Sequence, residues 1–377
     1  MTSRDRILAS LRGQERDRVP WIPLCSQSFF AGLWSAAESA GREGPVERPD
    51  GWKEDLVFRA RFYNDHGMDF MGWMDGADVS FECPGVTSRR TEIAENEFLT
   101  ETTTPAGELT SIDSYHAASF SFFSKKHRIR NVDDLKILNY TVRNTGVRAT
   151  YDEARSYLEV LGDRGVAFNA LRPPAVQDAL LGEFEPETLL LWVCDGNEEL
   201  LEYESLRHRL DCRIVELKAS GPFQVFCNYG VLGLGLVSPE IVRRHYQPFL
   251  KHYNSVLRSR RKIMICHTSG EPIGAILEDI ASLRLDGLCG LSCPAPRNDP
   301  EIWEIADRLP PQTALCGGLT PDFLYRAGRD QVKDAVRELL DKMAGDRRFL
   351  LGTADDVVPG TPVENLEAVS EVVSEFS

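Results

Sequence analysis

The chain has 377 residues, 42% hydrophobic and 27% charged, which is enough apolar material for a large globular core and excludes disordered and fibrous classes. Lysine and arginine total 43 against 58 aspartate and glutamate, a formal charge of −15. A field of that sign repels phosphate backbones and anionic lipid, so neither nucleic acid nor a membrane is an expected partner.

No apolar run approaches the roughly 20 residues of a membrane span. The first residues lack the apolar core of a signal peptide, and the nine cysteines show no paired framework. A cytoplasmic protein with reduced thiols is the expectation.

In chain order, Thr2 or Ser3 caps a helix carrying Ile7, Leu8 and Leu11, which Gly13 ends. The apolar run Val19-Pro20-Trp21-Ile22-Pro23-Leu24 follows, then helical sequence from Trp52 to Gly67 and the run from Met68 to Trp73. Between about residues 83 and 124 the texture changes. Thr102-Thr103-Thr104 and the turn Pro105-Ala106-Gly107 predict a hairpin-like insertion that covers a site. Asn131 caps the next helix, at Asp133-Asp134-Leu135.

From Val166 onward, strand-length runs alternate with helix-length segments. They are Val166–Phe168, Phe223–Phe226, Ile263–Cys266, Gly287–Leu291, Thr313–Leu315 and Phe349–Leu351. With the two earlier runs they make eight, which predicts an α/β fold: a single-domain (β/α)8 TIM barrel over 1–377, with an N-terminal helix and the insertion. A doubly wound sheet would carry a glycine-rich phosphate loop after its first run, and Gly230, Gly233 and Gly235 have neither that position nor that spacing.

In such a barrel, catalytic groups lie at the carboxyl ends of the strands. That rule selects Gln27, Asp75, Asn169 with Arg172, Asn228 with Tyr229, His267 with Ser269, Cys293, Cys316, and Thr353 with Asp355 and Asp356. His267 leads, because it ends an apolar run before the turn Thr268-Ser269-Gly270. Cys316 ends a later run before Gly317-Gly318 and can face the same cavity.

Imidazole and thiolate are preferred zinc ligands, and a catalytic zinc takes three protein ligands. The third stays open among Cys293, Cys227, Glu271, Asp75 and Asp355, and two unrelated polar residues without a metal are the alternative. Cys266, next to His267, should point to the other side of its strand. Arg172 suits either a substrate carboxylate or a structural ion pair. Trp73, Phe29, Phe30 and Tyr229 suit an aryl pocket or the core.

Several segments resemble the uroporphyrinogen decarboxylase superfamily. They are Arg4-Asp5-Arg6-Ile7-Leu8, Asp17-Arg18-Val19-Pro20, Thr104-Pro105-Ala106-Gly107, Ser238-Pro239-Glu240 and Pro359-Gly360-Thr361-Pro362-Val363-Glu364-Asn365-Leu366. The resemblance implies a (β/α)8 barrel, a homodimer, and one of two branches. Decarboxylases of this type carry arginines just after the first strand, to hold the acidic side chains of the tetrapyrrole. Here Cys25-Ser26-Gln27-Ser28-Phe29-Phe30-Ala31-Gly32 has none, and the late Gly-His-Gly is Gly352-Thr353-Ala354.

The methyltransferase branch has His-x-Cys-Gly and a later cysteine, which correspond to His267-Thr268-Ser269-Gly270 and Cys316, with Ser269 at the central cysteine. That resemblance implies Zn2+ on His267 and Cys316 with a changed ligand set, or a metal-free site in which His267 and Ser269 donate hydrogen bonds. Its implied activity is corrinoid-linked methyl transfer between a small methylated substrate, such as an aryl ether, or a thiol and a corrinoid on a separate protein. No Asp-x-His-x-x-Gly signature is present in the chain itself. The alternatives are a decarboxylase or lyase, with Arg172 as clamp and Asp75 as charge stabiliser, and a non-catalytic corrinoid- or tetrapyrrole-binding barrel.

Overall fold

The computed structural model describes residues 1–39, 51–74, 78–117, 121–345 and 348–376. Among them, eight parallel strands form one sheet: β1 (Trp21–Ile22), β2 (Phe70–Met74), β3 (Gly165–Leu171), β4 (Val225–Asn228), β5 (Ile263–His267), β6 (Gly287–Cys293), β7 (Ala314–Leu319) and β8 (Phe349–Thr353). Each strand from β2 to β8 pairs with its successor, and β8 pairs with β1. All eight predicted runs are strands of this sheet, with helices between them. No helix among the described residues is long and apolar enough to cross a membrane.

The sheet is nearly closed, and Asp69 bridges its two edges. Its backbone N–H donates to the Trp21 carbonyl at 2.7 Å, and its carboxylate accepts the Trp21 N–H at 3.2 Å. Arg6 at 2.5 Å and Arg18 at 3.0 Å neutralise this fully buried carboxylate.

Strands covered on both faces create two apolar layers. Inside the barrel, Ile22, Val166, Phe168, Val225, Cys227, Ile265 and Leu350 pack with Ile7 and Leu11 of the first helix, Ser3–Arg12. That helix therefore plugs the amino end of the barrel. Thr2 caps it by accepting the Asp5 N–H, and Gly13 ends it at φ 66°. Outside, Phe226, Met264, Cys266, Leu288, Leu315 and Phe349 meet the helices. Cys266 thus points away from the barrel interior, as strand alternation requires.

One expectation is extended and another changes. The expected hairpin forms, Glu97–Thr104 with Gly107–His116, and Thr87–Ala94 and Ser121–Lys126 extend it to a four-stranded antiparallel sheet. A separate pair, Val79–Glu82 with Gly146–Ala149, flanks it. Half of the sheet's residues are exposed and most of the others only partly buried, so its strands lack the apolar runs that marked the barrel. Second, Cys316 does not end its strand, because β7 continues through Gly317 and Gly318. A Cβ at Gly317 would lie 2.1 Å from the Leu291 carbonyl oxygen, so glycine there serves close strand approach instead of a turn.

Candidate functional site

Register places three side chains in one row across neighbouring strands: His267 of β5 pairs with Cys289 of β6, which pairs with Cys316 of β7. Cys227 of β4 joins them around a chamber of about 100 Å³ in the mouth of the barrel, walled also by Trp73, Phe168 and Thr353. Within it, Cys289 Sγ lies 3.5 Å from His267 Nδ1.

A β-bulge aims this pair. The β6–β7 register shifts between Cys289 and Leu291, leaving Gly290 at φ +83°. A Cβ on Gly290 would lie 2.8 Å from His267 Nδ1 and 2.7 Å from the Ser269 nitrogen. The loop after β5 is stitched to the same bulge. The Thr268 N–H donates to Cys289 O at 2.8 Å, Thr268 Oγ1 donates to Gly290 O at 2.7 Å, and the Gly270 N–H donates to Gly290 O at 2.7 Å. Ser269 takes a left-handed φ of 54°, and its hydroxyl donates to the Asp355 carboxylate.

Charge concentrates on the Cys289–His267 pair. A hydrogen bond from Cys227 lowers the Cys289 pKa against the effect of burial, and the His267 charge lowers it further. Burial opposes the His267 imidazolium, but Cys289, with Asp355 and Asp356, outweighs it and raises the pKa. The Cys227 thiol is held protonated by its hydrogen bond to Cys289 and by burial, and Cys316 by burial. These shifts favour thiolate on Cys289 and imidazolium on His267, beside two thiols that burial keeps neutral.

His267 and Cys316 share the chamber, as the zinc expectation requires. Yet among the described residues no three His, Cys, Asp or Glu side chains are arranged to hold a metal ion. Ser269, at the position of the missing cysteine, is committed to Asp355. As placed, the described side chains do not form a three-ligand zinc site.

The other candidates divide among neighbouring spaces. Gln27 and Trp73 line a cavity of about 750 Å³ with Phe30, Trp34, Trp52 and Tyr157. Trp73 borders both this cavity and the chamber. Its ring meets Phe168 at 5.1 Å and Tyr229 at 5.2 Å. Phe30 serves both core and cavity, whereas Phe29 is fully buried.

Arg172 and Tyr229 line a third cavity. Asn169 lies in the middle of β3, where its side chain accepts a hydrogen bond from buried Lys218. Asn228 is buried and donates to the Arg172 carbonyl at 3.3 Å. Asp355 acts on the pair through Ser269 and through its charge. Asp75 lies outside the described residues.

Cys293, one option for a third ligand, lies beside Glu301. Cys227, another option, does face the chamber. Cys289 was missed altogether, because within its own run it reads as apolar filler. Its signal is the cross-strand row, which no single segment shows.

Residues 230–376, which contain His267, Cys289 and Cys316, match the family model described as uroporphyrinogen decarboxylase. A uroporphyrinogen decarboxylase of Protochlamydia amoebophila is 30% identical over 139 residues, covering 35% of this chain and 35% of that protein. The match therefore spans about a third of that relative's length. The solved structure of a methyltransferase from Methanosarcina mazei superposes with a TM-score of 0.60 at 14% identity, over 100% of this chain and 99% of the other, a likeness of fold. The C-terminal region thus resembles the uroporphyrinogen decarboxylase family, and the whole chain shares the barrel fold of the Methanosarcina mazei methyltransferase.

Proposed function

We propose that the chain is a methyltransferase that moves a methyl group between a small methylated substrate, an aryl ether, and a corrinoid carried by a separate protein. One observation carries this reading: the chamber around His267 and Cys289 holds about 100 Å³. That space admits the methyl-bearing end of a small molecule. The loop after β1, without arginine, also offers no partner to a polycarboxylate. Aromatic walls at Trp34, Trp52 and Trp73 in the adjoining cavity suit an aryl body. The shared fold of the Methanosarcina mazei methyltransferase supports the same branch.

Breaking the methyl–oxygen bond of an ether leaves an alkoxide or phenoxide that needs a proton. The methyl group passes to the nucleophilic cobalt of the partner-borne corrinoid, a co-substrate, and the leaving oxygen takes its proton from His267. With Nδ1 facing Cys289, Nε2 is the nitrogen left to donate. The Cys289 thiolate holds the ring protonated and oriented, and the Asp355–Ser269 contact fixes the loop beside it. Loss of cob(I)alamin absorbance in the presence of methoxybenzenes, with wild-type protein and His267→Ala, tests the proposal. General acid catalysis contributes about 100-fold or more, so the variant should lose at least that much.

A further inference from the structure

In a chain of net charge −15, the third cavity has an opposite wall. It holds about 410 Å³, and among the described residues Arg128, Arg172, Arg207 and Lys218 line it with Glu183 as the single carboxylate. The balancing acids stand behind that wall. Asp178 accepts from Arg207 at 2.9 Å, Asp211 lies 3.4 Å from Arg207, and Asp78 lies 2.9 Å from Lys218. Glu183 faces Arg128 at 3.0 Å.

Arg172 is the loosely held member of the set. Its contacts to Asp178 and Asp211 are 3.4 and 3.8 Å, long for a guanidinium–carboxylate pair, and its side chain is 34% exposed. Its remaining N–H donors are available to a ligand. Arg207 is 1% exposed, and its Nε has no hydrogen-bond partner.

The rest of the lining includes Leu138, Val142 and Ile214. A cationic edge over an apolar floor, in a volume suited to one small organic molecule, is matched by an organic anion and wasted on an inorganic one. We infer that this cavity, separate from the His267 chamber, is a binding site for a carboxylate-bearing small molecule with an apolar body, anchored on Arg172. The inference does not depend on methyl transfer.

Isothermal titration of the full chain with benzoate and hexanoate, and in parallel with phenyl phosphate and inorganic phosphate, tests it. Both carboxylates should bind one per chain. Arg172→Ala and Arg172→Gln should weaken them at least about tenfold, and Arg172→Lys should restore part of the loss. Near-ultraviolet circular dichroism establishes that each variant keeps its tertiary fold, and if Arg172→Ala does not, Arg172→Gln and Arg172→Lys carry the comparison. No carboxylate binding, or binding indifferent to Arg172, overturns the site. Binding of the phosphate probes without the carboxylates overturns the assigned class.

Discussion

Cys289 Sγ faces His267 Nδ1 at 3.5 Å across two neighbouring strands, and this contact, with the Cys227 hydrogen bond to Cys289, favours a charged pair. The Cys289 pKa falls and the His267 pKa rises. The pair therefore exists between those two values. It is lost as pH falls through the lowered cysteine value and as pH rises through the raised histidine value.

That window predicts a reactivity profile. Alkylation of Cys289 by iodoacetamide, followed by peptide mass spectrometry, should stay fast well below the ordinary thiol range and slow only as pH drops through the lowered value. In His267→Ala the midpoint should move upward, toward the ordinary thiol. An unchanged midpoint would mean that the imidazole does not hold the thiolate.

Gly290→Ala tests the bulge. The new Cβ meets His267 at 2.8 Å in a backbone conformation that L residues rarely adopt. The expected cost is about 1–3 kcal/mol in urea unfolding, with loss of the Cys289 reactivity profile. Wild-type stability and reactivity in this variant would show that the bulge does not aim the pair.

Ser269→Cys restores the sulfur that the methyltransferase branch carries between His267 and Cys316. The substituted chain should gain about one zinc by elemental mass spectrometry, where the natural chain holds well below one. Stoichiometric zinc in the natural chain, lost in both His267→Ala and Cys316→Ala, would show that a ligand set forms without that sulfur.

Arg6→Ala should destabilise the barrel by about 1–3 kcal/mol, since the fully buried Asp69 at the seam between β1 and β2 then loses one hydrogen-bonded cation and keeps only Arg18. Adding Asp69→Asn should recover part of that loss. Chemical denaturation of the single and double variants reads both values.

The barrel was legible because its strands are buried on both faces, so Ile263–His267 and Phe349–Thr353 stand out as short apolar runs. The Thr2 and Asn131 caps were legible too, since a cap is a local hydrogen bond to the N–H of Asp5 or Asp134. The outer strands of the insertion were not, because an exposed strand such as Thr87–Ala94 is built mostly of polar residues with no apolar signature. His267 could be named from its strand end alone. Its partner could not, since the nearness of Cys289 comes from β5–β6 register and from the bulge at Gly290. Asn169, chosen by its place in the chain, turns outward to Lys218 by the same alternation that turns Phe168 into the chamber.

The most direct measurement is anaerobic methylation of cob(I)alamin by methoxybenzenes, catalysed by wild-type protein, His267→Ala and Cys289→Ser. The account predicts turnover in the wild type, a loss of about 100-fold or more in His267→Ala, and a smaller loss in Cys289→Ser, which keeps a hydrogen-bond partner for the ring but not its charge. Turnover undiminished in His267→Ala, or no methyl transfer to cobalt from any aryl ether offered to the wild type, would contradict it.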